Sequence, residues 1–301
     1  MTNKILKGSI LVALGASSYG MLATFVKMAY TEGFTTAEVT LSQFSLGFLG
    51  LLILTLFSKK TVVANPPDSN SKSILKLLTA GISMGLTSIC YYKSVQYLPV
   101  SVGIVLLMQT VWMGVILEII LHRKAPGWRK IIAVVIILFG TVLATNLLKE
   151  SIEINWIGIG WGLLAAVSYT ASVYASNSVS LHLPSLKRSL FLILGGLLTI
   201  SIIFHASINP QFSFDIFLRW GLFLSLFGTI LPPLLFTKGM PLTGMGLGAI
   251  IAAVEIPVSV MMAHVILGEI VNPAQWTGIV LILFAVVLMN LKRKQKTVSS
   301  T

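Results

Sequence analysis

Charge is what this sequence is short of. Of its 301 residues only 10% are Asp, Glu, Lys or Arg, against about 25% in soluble domains. With 55% hydrophobic residues and a mean hydropathy of +0.92, the chain could not clothe a water-facing surface, and a polytopic membrane protein is the class left. Cysteine is nearly absent. Cys90 stands alone in an apolar run, so no intrachain disulfide can form and nothing follows about the redox compartment. His122, His182, His205 and His264 are scattered without a His-x-x-x-His or Cys/His cluster, which leaves a metal site unsupported. No Gly-x-x-x-x-Gly-Lys-Ser/Thr loop is present, so nothing points to a nucleotide or to ATP-driven work. Gly15 to Gly20 superficially resembles a nucleophile elbow, but it lacks the Gly-x-Ser-x-Gly spacing and lies inside an apolar run. No cofactor is expected, and an intramembrane enzyme is the least supported class. The net charge of +12 would suit nucleic acid, yet no soluble segment is long enough for such a domain.

The basic residues lie between apolar spans. Runs of membrane length, about 20 residues, number ten: 8-28, 38-57, 76-96, 100-121, 128-148, 156-177, 188-207, 216-236, 244-266 and 273-291. The first follows Lys4 and Lys7, as a signal peptide would. Its full length and lack of a convincing cleavage site favour a retained span. The one long connection, Ser58 to Ser73, carries Asn65-Pro66-Pro67-Asp68 and reads as a surface loop. If the amino terminus is cytoplasmic, alternate segments place 17 of the 21 basic residues inside and leave Lys27, Lys93, Lys149 and Arg219 outside. The positive-inside rule then puts both termini in the cytoplasm.

The chain also repeats itself. Lys93 and Lys238, Gly103 and Gly248, and Leu138-Phe139 and Leu283-Phe284 share one interval, 238−93 = 248−103 = 283−138 = 145, and Ser18-Tyr19 pairs with Ser168-Tyr169 at 150. The expected division is therefore 1-150 and 151-301, with five spans in each half. Because five is odd, the second copy enters from the opposite face. Inverted repeats are an architecture of secondary transporters, with the substrate site near mid-membrane where the halves meet.

The stretch Gly248 to Glu269 carries Glu255 and Pro257 within membrane depth. A charged residue there costs about 2.5 to 3.5 kcal/mol on insertion scales, so Glu255 should face other helices or a wet cavity. Two readings stand for it. The carboxyl could bind a substrate ammonium group or take up a proton, or it could be a strut positioning the bend at Pro257, which removes a backbone donor. At the interval of 145, Gln109, Thr110 and Trp112 match Val254, Glu255 and Pro257 and should oppose Glu255 across the cavity. Gln109 offers donors and an acceptor without charge, though an amide also serves as glue between membrane helices. Tyr19, Tyr169 and Trp161 suit an amphipathic lining or packing against a neighbouring helix. Tyr92, with Tyr91, suits the outer half of a cavity or an interfacial belt, and Gln43 in the second span is a weaker candidate. Gly81-x-x-x-Gly85, Gly158-x-x-x-Gly162 and Gly244-x-x-x-Gly248 permit close helix approach.

The runs YYKSVQYLPVSVGIVLL (91-107) and VEIPVSVMMAHVILGEIVNPAQWTGIVLILFAVVL (254-288) resemble the paired EamA-type repeats of the drug/metabolite transporter superfamily. The most specific pieces are Glu255-x-Pro257, Gly268-Glu269, Gln275 and Gly278. The resemblance implies an all-α membrane protein of ten transmembrane helices, arranged as two inverted five-helix repeats around a central cavity. It further implies export of small metabolites, amino acids or similar amphipathic compounds, from the cytoplasm of a bacterium across its inner membrane. A multidrug or cation exporter of the same fold is the alternative. Trp112 stands where the register predicts proline, and Arg123-Lys124 where it predicts Gly-Glu, which argues against a strictly symmetric mechanism. The partners expected are a small-molecule substrate, the lipid bilayer and, as a candidate coupling ion, the proton.

Overall fold

The computed structural model describes residues 3–58, 70–98, 100–123, 125–145, 155–268 and 270–290. Among them all regular structure is helical. The first half contains α1 (Asn3–Thr31), α2 (Thr36–Phe57), α3 (Asn70–Tyr97), α4 (Val100–Leu107), α5 (Thr110–His122) and α6 (Trp128–Ala144). The second contains α7 (Trp156–Ser178), α8 (Ser185–Ile203), α9 (Leu222–Ser225), α10 (Leu231–Thr243), α11 (Met245–Ala252), α12 (Glu255–Leu267) and α13 (Pro273–Asn290). Eight stretches are long and apolar enough to cross a membrane, counting 102–122, Phe217–Thr243 and Met245–Leu267 as one crossing each. One shorter apolar helix, Pro273–Met289 within α13, is the ninth, and α6, 17 residues long and packed along α13, is the tenth. Leu56, Phe57, Leu218 and Val265 are among the large apolar side chains left on the outer surface, where lipid is the matching solvent. The boundary expected near residue 150, the loop from 59 to 69, Lys124 and Glu269 lie outside the described residues.

The crossings run antiparallel. We call the end at which α1 begins the base and the opposite end the mouth. At the base, Gly8 lies against Gly239 and Leu242 and Ser180 Oγ donates to the Ser73 carbonyl. At the mouth, Ser94 Oγ donates to the Gly158 carbonyl and Gln275 Nε2 to that of Ala144. Contacts between helices of different halves dominate the packing: α3 lies along α7 and α8, α1 along α10 and α12, and α6 along α13. The α3–α8 crossing is so tight that a Cβ on Gly81 would come within 3.0 Å of the Gly195 α-carbon.

Two expected spans are broken, at equivalent places. The ninth consists of α11 and α12 joined through Ala253 and Val254. Pro257 has no N–H with which to reach the Ala253 carbonyl, and that carbonyl accepts from Ile256 N instead. The fourth breaks at Met108 and Gln109, 145 residues earlier, without a proline. Here the side chain does the work. Gln109 Nε2 takes the Val105 carbonyl at 2.9 Å, which the Gln109 backbone N–H would reach in a continuous helix, and that N–H turns to Leu106. The repeat therefore preserves the break while changing its chemistry.

The eighth span deforms differently. Phe217–Gly221 and Leu226–Ile230 are π-helical turns either side of α9, and Pro232 and Pro233 follow. Those prolines cannot donate to the Gly228 and Thr229 carbonyls. Thr229 instead ties this span to α2, its hydroxyl donating to the Gln43 carbonyl at 2.9 Å.

Candidate functional site: a carboxyl among tyrosines at a helix break

Between the halves lies a cavity of about 870 Å³, inside the range of ligand pockets. Its lining runs from Tyr19, Tyr169 and Glu255 in the depth to Thr35, Gln96 and Ile270 at the mouth. Toward the base it is sealed by side chains that are fully buried, among them Met240, Met245 and Ile250. The molecule is thus open at the mouth and shut at the base.

Glu255 is the first residue of α12, so its carboxyl stands at the positive end of a half-helix. It is half-buried, and the face it leaves uncovered is part of the cavity lining. Tyr169 on α7 donates its hydroxyl to Glu255 Oε2 at 3.4 Å. Tyr19 on α1 meets the Tyr169 ring edge-on, centroids 6.2 Å apart, and Phe236 at 5.7 Å. The approach of α1 to the break depends on Gly20, where a Cβ would fall 2.5 Å from the Glu255 carbonyl oxygen. The tyrosines of the two Ser-Tyr pairs therefore meet beside the carboxyl, while Ser18 donates to the Phe227 carbonyl instead.

A second polar group stands higher. Gln43 and Tyr92 are both buried, and the Tyr92 hydroxyl lies 3.5 Å from Gln43 Oε1. Tyr91 packs on Tyr92 and Tyr30 caps it from α1. Thr24, Thr87, Ser88 and Ser172 add hydroxyls to the same cavity. An apolar wall with a few convergent polar groups is what an amphipathic ligand needs.

Three residues singled out from the sequence stand elsewhere. Gln109 and Trp112 do not line the cavity; the Trp112 indole N–H donates to Gln109 Oε1 at 2.8 Å, so the pair saturates itself around the break in its own span. Trp161 packs on the apolar core. Pro257 is buried in the first turn of α12, where it sustains the break. Thr110, the register partner of Glu255, shares a hydrogen bond of 2.8 Å with Thr170.

Two further charges are buried among the described residues. Arg188 on α8 is 2% exposed and spends its guanidinium on four carbonyls: Val179 and Thr237 at 2.9 Å, Ser176 at 2.7 Å and Ala175 at 3.4 Å. Glu38 closes the capping box of α2 with Thr35 and accepts from Ser213 N at 2.6 Å, which holds the segment before the eighth span. In the sequence both looked like ordinary interfacial charges. The one signal available was their place, the third residue of α2 and the fourth of α8, at an interval of 188−38 = 150.

The sequence profile of the EamA-like transporter family matches residues 6–146 and again 156–291. The chain belongs to the EamA-like transporter family. Each match takes in one set of five spans, so the inverted-repeat, ten-helix architecture of this EamA-like chain and its class, a multi-pass membrane transporter, rest on the same finding. Among solved structures it is similar to one titled "Crystal structure of protein", with a TM-score of 0.74 over 95% of this chain and 96% of the other at 13% identity. At that identity the likeness speaks for the fold alone. No curated protein matches the chain.

Two substitutions distinguish the cavity wall from the scaffold. Tyr169→Phe keeps the ring and removes the hydroxyl from Glu255. Because the bond is long, the expected loss is modest, about three- to tenfold in affinity for a ligand held at that carboxyl, with little change in melting temperature; calorimetry and a thermal scan read the two. Gln109→Leu frees the Val105 carbonyl and the Trp112 indole. It should cost about 1 to 2 kcal/mol of stability and leave the affinity of the purified protein for the same ligand within about twofold by the same calorimetry.

Proposed function

We propose that this EamA-like protein is a secondary transporter that exports amphipathic small molecules bearing an ammonium group, amino acids or related amines, from the cytoplasm of a bacterium across its inner membrane. The observation that carries this reading is the Glu255 carboxyl at a helix break, walled by Tyr19, Tyr91 and Tyr169 in a cavity open at one end. A carboxylate attracts an ammonium group, aromatic faces stabilise a cation within about 6 Å of the ring centroid, and the ring edges accommodate an apolar body. Gln43 and Tyr92 serve as the second anchor, for a carboxylate or amide at the other end of the substrate. The residues assigned to the ligand are thus Glu255, Tyr19, Tyr169, Tyr92 and Gln43, with Pro257 maintaining the break.

The two halves, 1-150 and 151-301, rock against each other about this site so that the cavity faces one side at a time. The mouth is periplasmic and both termini are cytoplasmic, as the 17 against 4 distribution of basic residues supports. The substrate gradient, or a proton exchanged at the same carboxyl, supplies the driving force. No enzymatic step is invoked.

A series of three isosteric probes tests the substrate class. 2-Phenylethylamine, 2-phenylethanol and 3-phenylpropionate share a ring and differ in charge. The amine should raise the melting temperature of the purified protein and the other two should not, since only a ligand of the folded form stabilises it. Stabilisation by the propionate and not by the amine would contradict the assignment. Efflux from liposomes with and without a pH gradient then distinguishes the two driving forces.

A further inference from the structure

At the closed base the halves meet through apolar packing and the Ser180–Ser73 hydrogen bond, and Glu118 adds a charge. We propose that Glu118, with Lys130 beside it, is the lock that keeps the base shut, because it seats a carboxylate from the first half on the first turn of α11 in the second. The inference rests on the transport reading above and adds to it a device that sets the resting state.

The geometry at the base is specific. Glu118 on α5 accepts from Lys130 Nζ on α6. The same Oε2 lies so close to the α-carbon of Gly246 that a Cβ there would collide with it, and that Cβ would also sit 3.1 Å from the carboxyl carbon and 3.2 Å from Lys130 Nζ. Gly246 is the second residue of α11, whose N-cap is Gly244 at φ 79°. The first N–H groups of a helix have no partner within it and carry partial positive charge. A carboxylate placed there is stabilised without a ligand, and glycine at 246 is what lets it in.

The repeat supplies the control. At the interval of 145, Glu118 corresponds to Ala263, Lys130 to Gln275 and Gly246 to Ser101. Those positions belong to the mouth, where Ala263 and Gln275 border the open cavity. Gln275 donates its amide N–H to the Ala144 carbonyl on α6 and accepts from Asn272 N with its amide oxygen, so no charge crosses between the halves there. One end of the molecule therefore has a charged lock and is shut, while the other has alanine and glutamine at the same places and is open.

The lock also connects to the site. α11 is eight residues long and ends at Ala252, immediately before the break that begins α12 with Glu255. Releasing its first turn at the base frees a short rigid segment whose far end, Ala252, lies three residues before Glu255. Glu118 is thus a positioning residue, acting through α11 rather than on the substrate. Both side chains of the pair keep about a quarter of their surface exposed, so water can take over when the base opens, as a reversible latch requires.

Pulsed electron spin resonance on the full chain in liposomes tests this. In a Cys90→Ala background, one label pair replaces His122 and Lys238 at the base and a second replaces Thr31 and Ile270 at the mouth, with and without 2-phenylethylamine. Glu118→Gln is expected to raise the long-distance population at the base about fivefold and to shorten the mouth distance in step. Gly246→Ala, which pushes the carboxylate off without removing its charge, should shift both in the same sense. If the parent protein exchanges between two distances at each end and Glu118→Gln leaves their ratio unchanged, the lock is refuted while alternating access stands. Should the parent show one distance at each end under every condition, the transport reading fails with it. A variant whose two distributions merely broaden together, with a lower melting temperature, would make Glu118 a strut and overturn the proposal.

Discussion

Glu255→Gln is expected to abolish the stabilisation of the protein by 2-phenylethylamine and to lower its affinity by about 10- to 100-fold, the range given by losing a hydrogen bond to a charged partner, about 1.5 to 3 kcal/mol. The amide keeps the size of the side chain and can still accept from the Tyr169 hydroxyl, so the break and the Tyr19–Tyr169 contact should survive. What is lost is the charge. The melting temperature without ligand should stay within a degree or two of the parent, and efflux by the variant should no longer respond to a pH gradient if the proton shares this carboxyl. An unchanged affinity would reduce Glu255 to a strut for the bend at Pro257, the other role its position allows.

Arg188→Ala is expected to have the largest effect on folding. The substitution strips the Val179, Thr237, Ser176 and Ala175 carbonyls of a charged donor in a site that is almost fully buried. An unpaired buried polar group costs about 1 to 3 kcal/mol. With several affected together, a loss of about 3 kcal/mol or more is expected, seen as a lowered melting temperature in detergent or as failure to accumulate. Three of the four carbonyls lie at or just past the end of α7, where helix carbonyls lack internal partners, so the guanidinium is in effect the cap of that helix and its link to α10. Arg188→Lys keeps the charge but presents three donors from a single point instead of a planar fork, and should recover part of the loss. If Arg188→Ala melts like the parent, the carbonyls are satisfied by water and the clamp has no energetic role.

Much of the architecture was legible because bilayers impose a coarse grammar. Ten apolar runs, basic residues in alternate connections and one interval between like residues lead to ten helices in two inverted sets, and the family profile matches the chain twice. Glu255 was legible for a related reason, since a carboxyl at mid-span has few tolerable surroundings. The breaks were harder to read. Pro257 advertises one of them, but the other is made by the amide of Gln109 folding back on Val105, which no hydropathy pattern encodes. The repeat register suggested that Gln109 and Trp112 would oppose Glu255, yet the two satisfy each other across one turn, and the wall beside the carboxyl comes from Tyr19 and Tyr169. Arg188, Glu38 and Glu118 were invisible for a further reason. Each is a charge near a span end, and only the fold reveals what it meets: four carbonyls for Arg188, the Ser213 N–H for Glu38, and Lys130 with the close approach of Gly246 for Glu118.

In the proposed transport cycle the cavity around Glu255 is exposed to one side of the membrane at a time. Ser259 lines that cavity one turn from Glu255 on α12, which makes it a reporter. In a Cys90→Ala, Ser259→Cys protein, a membrane-impermeant maleimide should react from the mouth side in the resting state, and from the base side once 2-phenylethylamine drives turnover. Labelling that never reaches the residue from the base, with or without the amine, would contradict it.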